Sequence, residues 1–145
     1  MITEIISNLW ISNFKDLKKS DKFLKDKNIQ LIINCTNELP FLKIMNNIKK
    51  IRYKINDTSI INNNYIFKLN KLIHKYRDND VGVLIYCHSG TQCSPMLVCC
   101  YLIQYSKISN VNIISSVQNK YEYAFNEHNN FSSQLDKYHF FINNK

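Results

Sequence analysis

The chain has 145 residues, a formal net charge of +8, 45% hydrophobic residues and only two glycines. A chain of this length can bury one core but is too short to divide, so we expect a single domain over residues 1–145. The apolar runs are strand-sized and are interrupted by Asn, Lys or Gln, which excludes a membrane-spanning helix and argues against a signal peptide.

The positive charge is dispersed in two clusters rather than gathered on an aromatic platform. The clusters are Lys15, Lys18, Lys19, Lys22, Lys25 and Lys27, followed by Lys49, Lys50 and Arg52. Such clusters are more often solvated faces than nucleic-acid sites. The charge therefore predicts a general attraction to acidic or phosphorylated partners and no specific recognition of nucleic acid.

Five cysteines, an odd number without scaffold-like spacing, predict reduced thiols in a cytoplasmic protein. The abundance of Asn, Ile and Lys is interpreted as the coding bias of an AT-rich genome, viral or parasitic. Neither feature requires a metal or another cofactor, and we expect none.

The first part of the chain reads as strands that alternate with helices. Residues 5–12 predict two short strands around Asn8, with Trp10 at the base of the core. Residues 14–27 predict one amphipathic helix whose inward positions are Leu17, Phe23 and Leu24. Strands are expected over 29–34 and 48–55, the second with one basic face.

Helical spacing dominates the second part of the chain. The positions Ile66, Leu69, Ile73 and Tyr76 predict a helix that ends near residues 77–80. A further helix is predicted over 111–123, and its buried stripe is expected to be Val111, Ile114, Val117 and Tyr121. A last amphipathic helix is predicted to open at 130–135. The alternation predicts an α/β sandwich with a mostly parallel central sheet flanked by helices.

The most informative stretch is residues 83–96, which begins as a strand and ends as a helix. Val83 to Cys87 is a short apolar run typical of a buried strand. Ser94 suits an N-cap and Pro95 suits the first helical turn, before the apolar run 96–104. A loop that leads into a helix N-terminus presents several backbone N–H groups and can bind a phosphate. A cysteine at the rim of such a loop can act as a thiolate nucleophile.

This stretch resembles the signature of the cysteine-dependent protein tyrosine phosphatases, and Ser94-Pro95 resembles their dual-specificity branch. The family signature is His-Cys, five loop residues with a central Gly, then Arg and Ser or Thr. The resemblance implies a dual-specificity phosphatase-like fold, with Cys87 at the nucleophile position and Ser94 as the loop hydroxyl. The resemblance also implies a phosphate loop, which consists of Cys87, His88, Ser89, Gly90, Thr91, Gln92 and Cys93.

Three other segments support the resemblance. Residues 5–12, 34–37 and 130–135 are similar to the first strands, a strand-end loop and the closing helix of the family. Asn56-Asp57-Thr58 resembles the general-acid loop, in which Asp57, thirty residues before Cys87, would protonate the leaving oxygen. Taken alone, Asp57 suits a helix or turn cap; beside the Cys87 loop, the acid position is favoured.

The sequence departs from the signature at two positions. Cys93 replaces the arginine whose planar guanidinium holds two phosphate oxygens, and Tyr86 replaces the histidine that supports the thiolate. Loss of one preorganised charged contact to a transferring phosphoryl group costs on the order of 3–5 kcal/mol. Neither His88 nor Gln92 is an obvious substitute for the arginine.

Three functions remain open on this sequence. The first is a pseudophosphatase that binds phosphoproteins or other proteins of kinase and phosphatase pathways. The second is a weakly active or specialised phosphatase that uses Cys87 and Asp57, with another basic group in place of the arginine. The third is a redox-responsive pair of Cys87 and Cys93, against which two reduced thiols are favoured.

The short segment 60–64 suggests a shallow site, and a monomer is expected.

Overall fold

The computed structural model describes residues 1–20, 22–55 and 61–145. Its strands are β1 Thr3–Ile6, β2 Leu9–Asn13, β3 Ile29–Asn34, β4 Lys49–Arg52 and β5 Gly82–Cys87. Its helices are α1 Phe14–Lys18, α2 Phe23–Asp26, α3 Asn63–Asp78, α4 Cys93–Tyr105, α5 Asn110–Lys120 and α6 Ser132–Asn143, with a 3₁₀ helix at Lys43–Met45.

The five strands form one sheet in the order β1-β2-β5-β3-β4. The pairs β2–β5, β5–β3 and β3–β4 are parallel, and β1 alone is antiparallel to its neighbour β2. Helices α3 to α6 contribute to the core on one face, while α1, α2 and the 3₁₀ helix cover the other. The predicted α/β sandwich with a mostly parallel sheet is therefore confirmed.

Strand β5 lies at the centre of the sheet, and all six of its residues are buried. Because successive side chains of a strand point to opposite faces, Cys87 belongs to the core on the α4 side and Tyr86 to the core on the α1 side. The carboxyl ends of β3, β4 and β5 meet at one edge of the sheet, where the loop of residues 88–92 begins.

The single helix predicted over 14–27 is wrong, because the segment forms two short helices. The hydroxyl of Ser20 donates to the carbonyl of Asp16 at 3.1 Å, a helix carbonyl in the last turn of α1. Leu17 and Leu24 are buried as expected, and Phe23 is half-buried. The strand predicted over 48–55 is also shorter, because its ladder with β3 covers only Lys49 to Arg52.

The two predicted strands around Asn8 are confirmed, and Asn8 makes the turn between them with φ 67°. Trp10 is only half-buried and packs edge-on against Phe23, with 4.9 Å between ring centroids. In the part of the chain that the structure describes, no helix combines the length and apolar character needed to cross a membrane.

The buried stripe predicted for the fifth helix is partly wrong. Val111 is 74% exposed and Ile114 is half-buried, whereas Val117 is buried as predicted and Ile113 is the other buried residue of α5. The hydroxyl of Ser109 accepts a hydrogen bond from the amide of Asn112, so the helix begins at Asn110 and its inward face is set by that start. Tyr121 is buried as predicted, but it follows the helix.

We expect Ile113→Ala to lower the free energy of unfolding by about 2–4 kcal/mol, because it leaves a cavity in the core. Val111→Ala removes an exposed side chain on the same helix, and its effect should stay within about 0.5 kcal/mol. Urea denaturation of the two variants measures both values. Equal losses of stability would contradict the orientation of α5.

Candidate active site

The loop between β5 and α4 curls around the sulfur of Cys87. The Gly90 amide donates to Cys87 Sγ at 3.2 Å, and Ser94 Oγ lies 3.1 Å from the same sulfur. Gly90 has φ +77°, a left-handed conformation that glycine adopts without strain. Cys87 is only 4% exposed, at the floor of the loop. The structure thus brings Cys87, Gly90 and Ser94 together.

Ser94 is not the N-cap of α4, contrary to the prediction from sequence. The helix begins one residue earlier, at Cys93, and its N-cap is Gln92, which makes no side-chain cap bond. Ser94 lies in the first turn, fully buried, and its hydroxyl faces the Cys87 sulfur instead of a backbone amide. The serine therefore belongs to the surroundings of the thiol.

Gln92 joins the phosphate loop to the segment that precedes α6. Its side-chain Nε2 donates to the His128 carbonyl at 2.7 Å, and its Oε1 accepts from the Asn130 amide at 2.9 Å. The Phe125 amide also donates to the Thr91 carbonyl at 2.8 Å. Both ends of the Gln92 amide are thus bonded within the protein. No local sequence signal identifies this clamp, because its partners lie more than thirty residues away.

The remaining loop side chains face outward. His88 and Ser89 are exposed, and the Ser89 and Thr91 hydroxyls lie 2.8 Å apart. The His88 carbonyl accepts from the amide of Phe14, the first residue of α1, at 3.3 Å. The loop is consequently anchored to α1 through His88 and to the segment before α6 through Thr91 and Gln92.

The two cysteines of the phosphate loop, Cys87 and Cys93, have different neighbours. Cys93 is half-buried, and its thiol donates to the Ile55 carbonyl at 3.5 Å. Cys87 instead contacts Ser94 and Gly90, as described above. The redox pairing of these residues stays a prediction.

Tyr86 does not act on the thiol. Its hydroxyl donates to the Pro40 carbonyl at 3.1 Å, and its ring stacks on Phe14 with 6.1 Å between centroids. Burial raises the pKa of Tyr86 to about 12, so the phenol stays neutral. The alternation of side chains along β5 places this residue on the opposite face from Cys87, where it supports the sheet.

A pocket of about 590 Å³ opens above Cys87, here called the site pocket. Its lining comes from the loops that follow β3, β4 and β5 and from the segment before α6. The lining residues are Thr36, Asn37, Glu38, Lys54, Ile55, Cys87, His88, Ser89, Thr91, Gln92, Cys93, Asn126, Glu127, His128 and Asn130. Asp57, the predicted general acid, lies outside the described residues.

Lys54 is one of the lining residues that were not predicted from the sequence. It is exposed and lies two residues after the end of β4, at the sheet edge where the parallel strands end. Ligands of parallel α/β sheets bind at that edge, so the position of Lys54 after β4 was the available signal. Among the residues described, no group of three His, Cys, Asp or Glu side chains could hold a metal ion.

Tyr121 lies directly beneath the phosphate loop. It is 2% exposed, and its hydroxyl has no hydrogen-bond partner within the described residues. A Cβ added at Gly90 would lie 2.2 Å from that hydroxyl oxygen, so glycine is required there for space as well as for φ. Burial raises the pKa of Tyr121 well above its usual value and keeps the hydroxyl neutral.

Comparison with known proteins agrees with this geometry. The family model "Dual specificity phosphatase, catalytic domain" matches residues 9–140. The chain therefore belongs to the dual specificity phosphatase family. No curated protein matches it significantly by sequence.

Solved structures share the fold at low sequence identity. A mouse putative dual specificity phosphatase, solved with zinc tungstate, has a TM-score of 0.85 at 19% identity, covering 99% of this chain and 89% of its own. Human DUSP28 has a TM-score of 0.85 at 17% identity, covering 98% and 95%. A leucine rich repeat and phosphatase domain protein of Entamoeba histolytica has a TM-score of 0.82 at 20% identity, covering 99% and 93%.

Proposed function

We propose that this protein is a catalytically impaired dual specificity phosphatase that binds phosphoproteins through the phosphate loop. The observation that carries the proposal is the loop itself, in which the Gly90 amide and the Ser94 hydroxyl still converge on the Cys87 sulfur. At the position of the family arginine stands Cys93, whose thiol is short and uncharged.

The guanidinium is not supplied from elsewhere in the described part of the chain. The sequence contains two arginines, Arg52 and Arg77. Arg52 donates to the Thr36 carbonyl at 2.8 Å, and Arg77 donates to the Tyr101 hydroxyl at 2.7 Å. Neither residue lines the site pocket. The charged fork that stabilises a transferring phosphoryl group is thus missing, at an expected cost on the order of 3–5 kcal/mol in the barrier.

Binding of a phosphate should suffer less than its transfer. Backbone amides at a helix N-terminus attract an anion without any side chain, and the start of α4 at Cys93 offers such amides. The positive charge of the whole chain favours the approach of phosphorylated partners. In this proposal the protein acts in the cytoplasm as a monomer. It binds phosphoproteins and releases them without removing the phosphate.

A weakly active phosphatase is the second candidate, and Lys54 is the observation that favours it. Its ammonium group lines the site pocket and could neutralise part of the phosphate charge. An ammonium is a point charge and cannot reproduce the two parallel hydrogen bonds of a guanidinium. Cys87 would be the nucleophile and Asp57 the general acid in this alternative.

Two measurements on the purified protein test the proposal. We expect a phosphopeptide to bind and its unphosphorylated form not to bind, with competition by tungstate, a phosphate mimic that the mouse relative was solved with. Hydrolysis of an aryl phosphate should stay at least about a hundredfold below the 1–10³ s⁻¹ typical of enzymes.

Cys87→Ser is the control for both measurements. Turnover at ordinary enzymatic rates that disappears in Cys87→Ser would establish an active phosphatase and contradict the impaired one. Equal binding of the phosphorylated and unphosphorylated peptides would show that partners bind at a surface other than the phosphate loop, and would contradict the proposal.

A further inference from the structure

The rim of the site pocket carries negative charge on a positively charged protein. Glu38 and Glu127 both line the pocket, both are exposed, and neither forms an ion pair with any residue that the structure describes. Within the described lining, Lys54 carries the single ammonium group and there is no guanidinium. The charged side chains that line the described part of the pocket, two carboxylates and one ammonium, therefore sum to −1, opposite in sign to the net charge of +8.

Both glutamates are held in place by ordered backbone. Glu38 lies in a turn in which the Leu39 amide donates to the Thr36 hydroxyl at 3.0 Å and the Thr36 amide donates to Asn34 at 2.9 Å. Glu127 precedes His128, whose carbonyl is fixed by Gln92 at 2.7 Å. Their positions at the rim thus follow from hydrogen bonds to the sheet edge and to the phosphate loop.

The local charge outweighs the distant charge for a ligand inside the pocket. At physiological ionic strength the Debye length is about 8 Å, so the dispersed surface lysines are largely screened there. A phosphate at the loop would be held by backbone amides and Lys54, and the groups beside that phosphate would face the two carboxylates. Acidic neighbours would be repelled, whereas basic neighbours would form ion pairs.

We propose that the site pocket selects phosphopeptides in which basic residues flank the phosphorylated residue, with Glu38 and Glu127 as the specificity-determining side chains. This inference rests on the proposed function and adds the class of ligand. Glu38 contributes its carboxylate from the loop after β3, and Glu127 contributes its carboxylate from the segment before α6.

Paired peptides test the selection by fluorescence anisotropy. Each pair has the same length and the same phosphotyrosine or phosphothreonine, flanked by two Lys or Arg in one member and two Asp or Glu in the other. We expect the basic member to bind about five- to tenfold more tightly at physiological salt, since each exposed ion pair contributes roughly a factor of two to five. The difference should shrink in 0.5 M salt.

Charge reversal identifies the residues responsible. Glu38→Lys and Glu127→Lys should each reduce the preference, and together they should reverse it. Glu122→Lys is the matched control, because Glu122 is exposed in the segment before α6 but does not line the site pocket. Its substitution should leave the preference unchanged.

The outcomes separate this inference from the proposed function. Equal binding of the two members, or tighter binding of the acidic one, would overturn the selection while the phosphoprotein role stands. Stronger binding to vesicles that contain a phosphoinositide than to the basic peptide would also overturn it. Failure of every phosphopeptide to bind would overturn both proposals.

Discussion

Cys93→Arg is expected to raise the hydrolysis of an aryl phosphate by about a hundred- to a thousandfold. Cys93 lies in the first turn of α4, half-buried, and lines the site pocket beside the Cys87 sulfur and its partners. An arginine there would place two parallel donors at the oxygens of a phosphate held by the loop. The turnover number of purified wild-type and variant protein, measured under identical conditions, checks the prediction.

Three further variants determine whether the gain has the expected cause. Cys93→Lys restores charge without the planar fork and should recover only a small part of the activity. Cys93→Met tests bulk without charge and should recover none. Cys93→Arg combined with Cys87→Ser should be inactive. A folded Cys93→Arg protein without any gain would show that the site lacks a second component, either at Tyr86 or in the general-acid segment around Asp57.

Gly90→Ala is expected to lower the free energy of unfolding by about 2–5 kcal/mol and to abolish binding of tungstate. A side chain at φ +77° costs roughly 1–2 kcal/mol, and forcing a methyl group against the Tyr121 hydroxyl at 2.2 Å adds about 1–3 kcal/mol. Chemical denaturation measures the first effect, and titration with tungstate measures the second.

Tyr121→Phe is the matched variant, because it removes only the oxygen that the alanine would meet. The hydroxyl has no partner among the described residues, so its removal alone should be neutral or slightly stabilising. In the double variant the nearest remaining atoms are the ring carbon Cζ of residue 121 and the Asn13 Cβ, both at 3.3 Å, so the severe overlap is removed while the backbone strain and two tight contacts remain. We expect a favourable coupling of about 1–2 kcal/mol. Strictly additive effects would contradict the contact.

The architecture was predictable because its signals are local. The buried run at 82–87, the single glycine in the following loop and the helical spacing of α3 and α4 each act within a few residues. Together they predicted the parallel sheet and the loop around Cys87. The opposite orientation of Tyr86 and Cys87, which was not predicted, agrees with the two-residue period of a strand.

The missed features depend on contacts between distant segments. Ser94 has the side chain of an N-cap, but the Cys87 sulfur seven residues earlier occupies its hydroxyl. Helix α5 begins at Asn110, after the Ser109 cap, and its buried residues are Ile113 and Val117. Val111, which was predicted to be buried, is exposed instead. Lys54 reaches the site only because β4 pairs in parallel with β3. Spacing along the chain does not determine any of these.

The bonds from Gln92 and Thr91 to the segment at 125–130 link the loop mechanically to the last helix. That segment leads into Phe131, which is fully buried at the start of α6. A ligand that reshapes the loop must therefore strain or release the carboxyl-terminal end of the fold. Conversely, a protein that binds α6 could raise or lower the affinity of the loop for phosphate without entering the pocket.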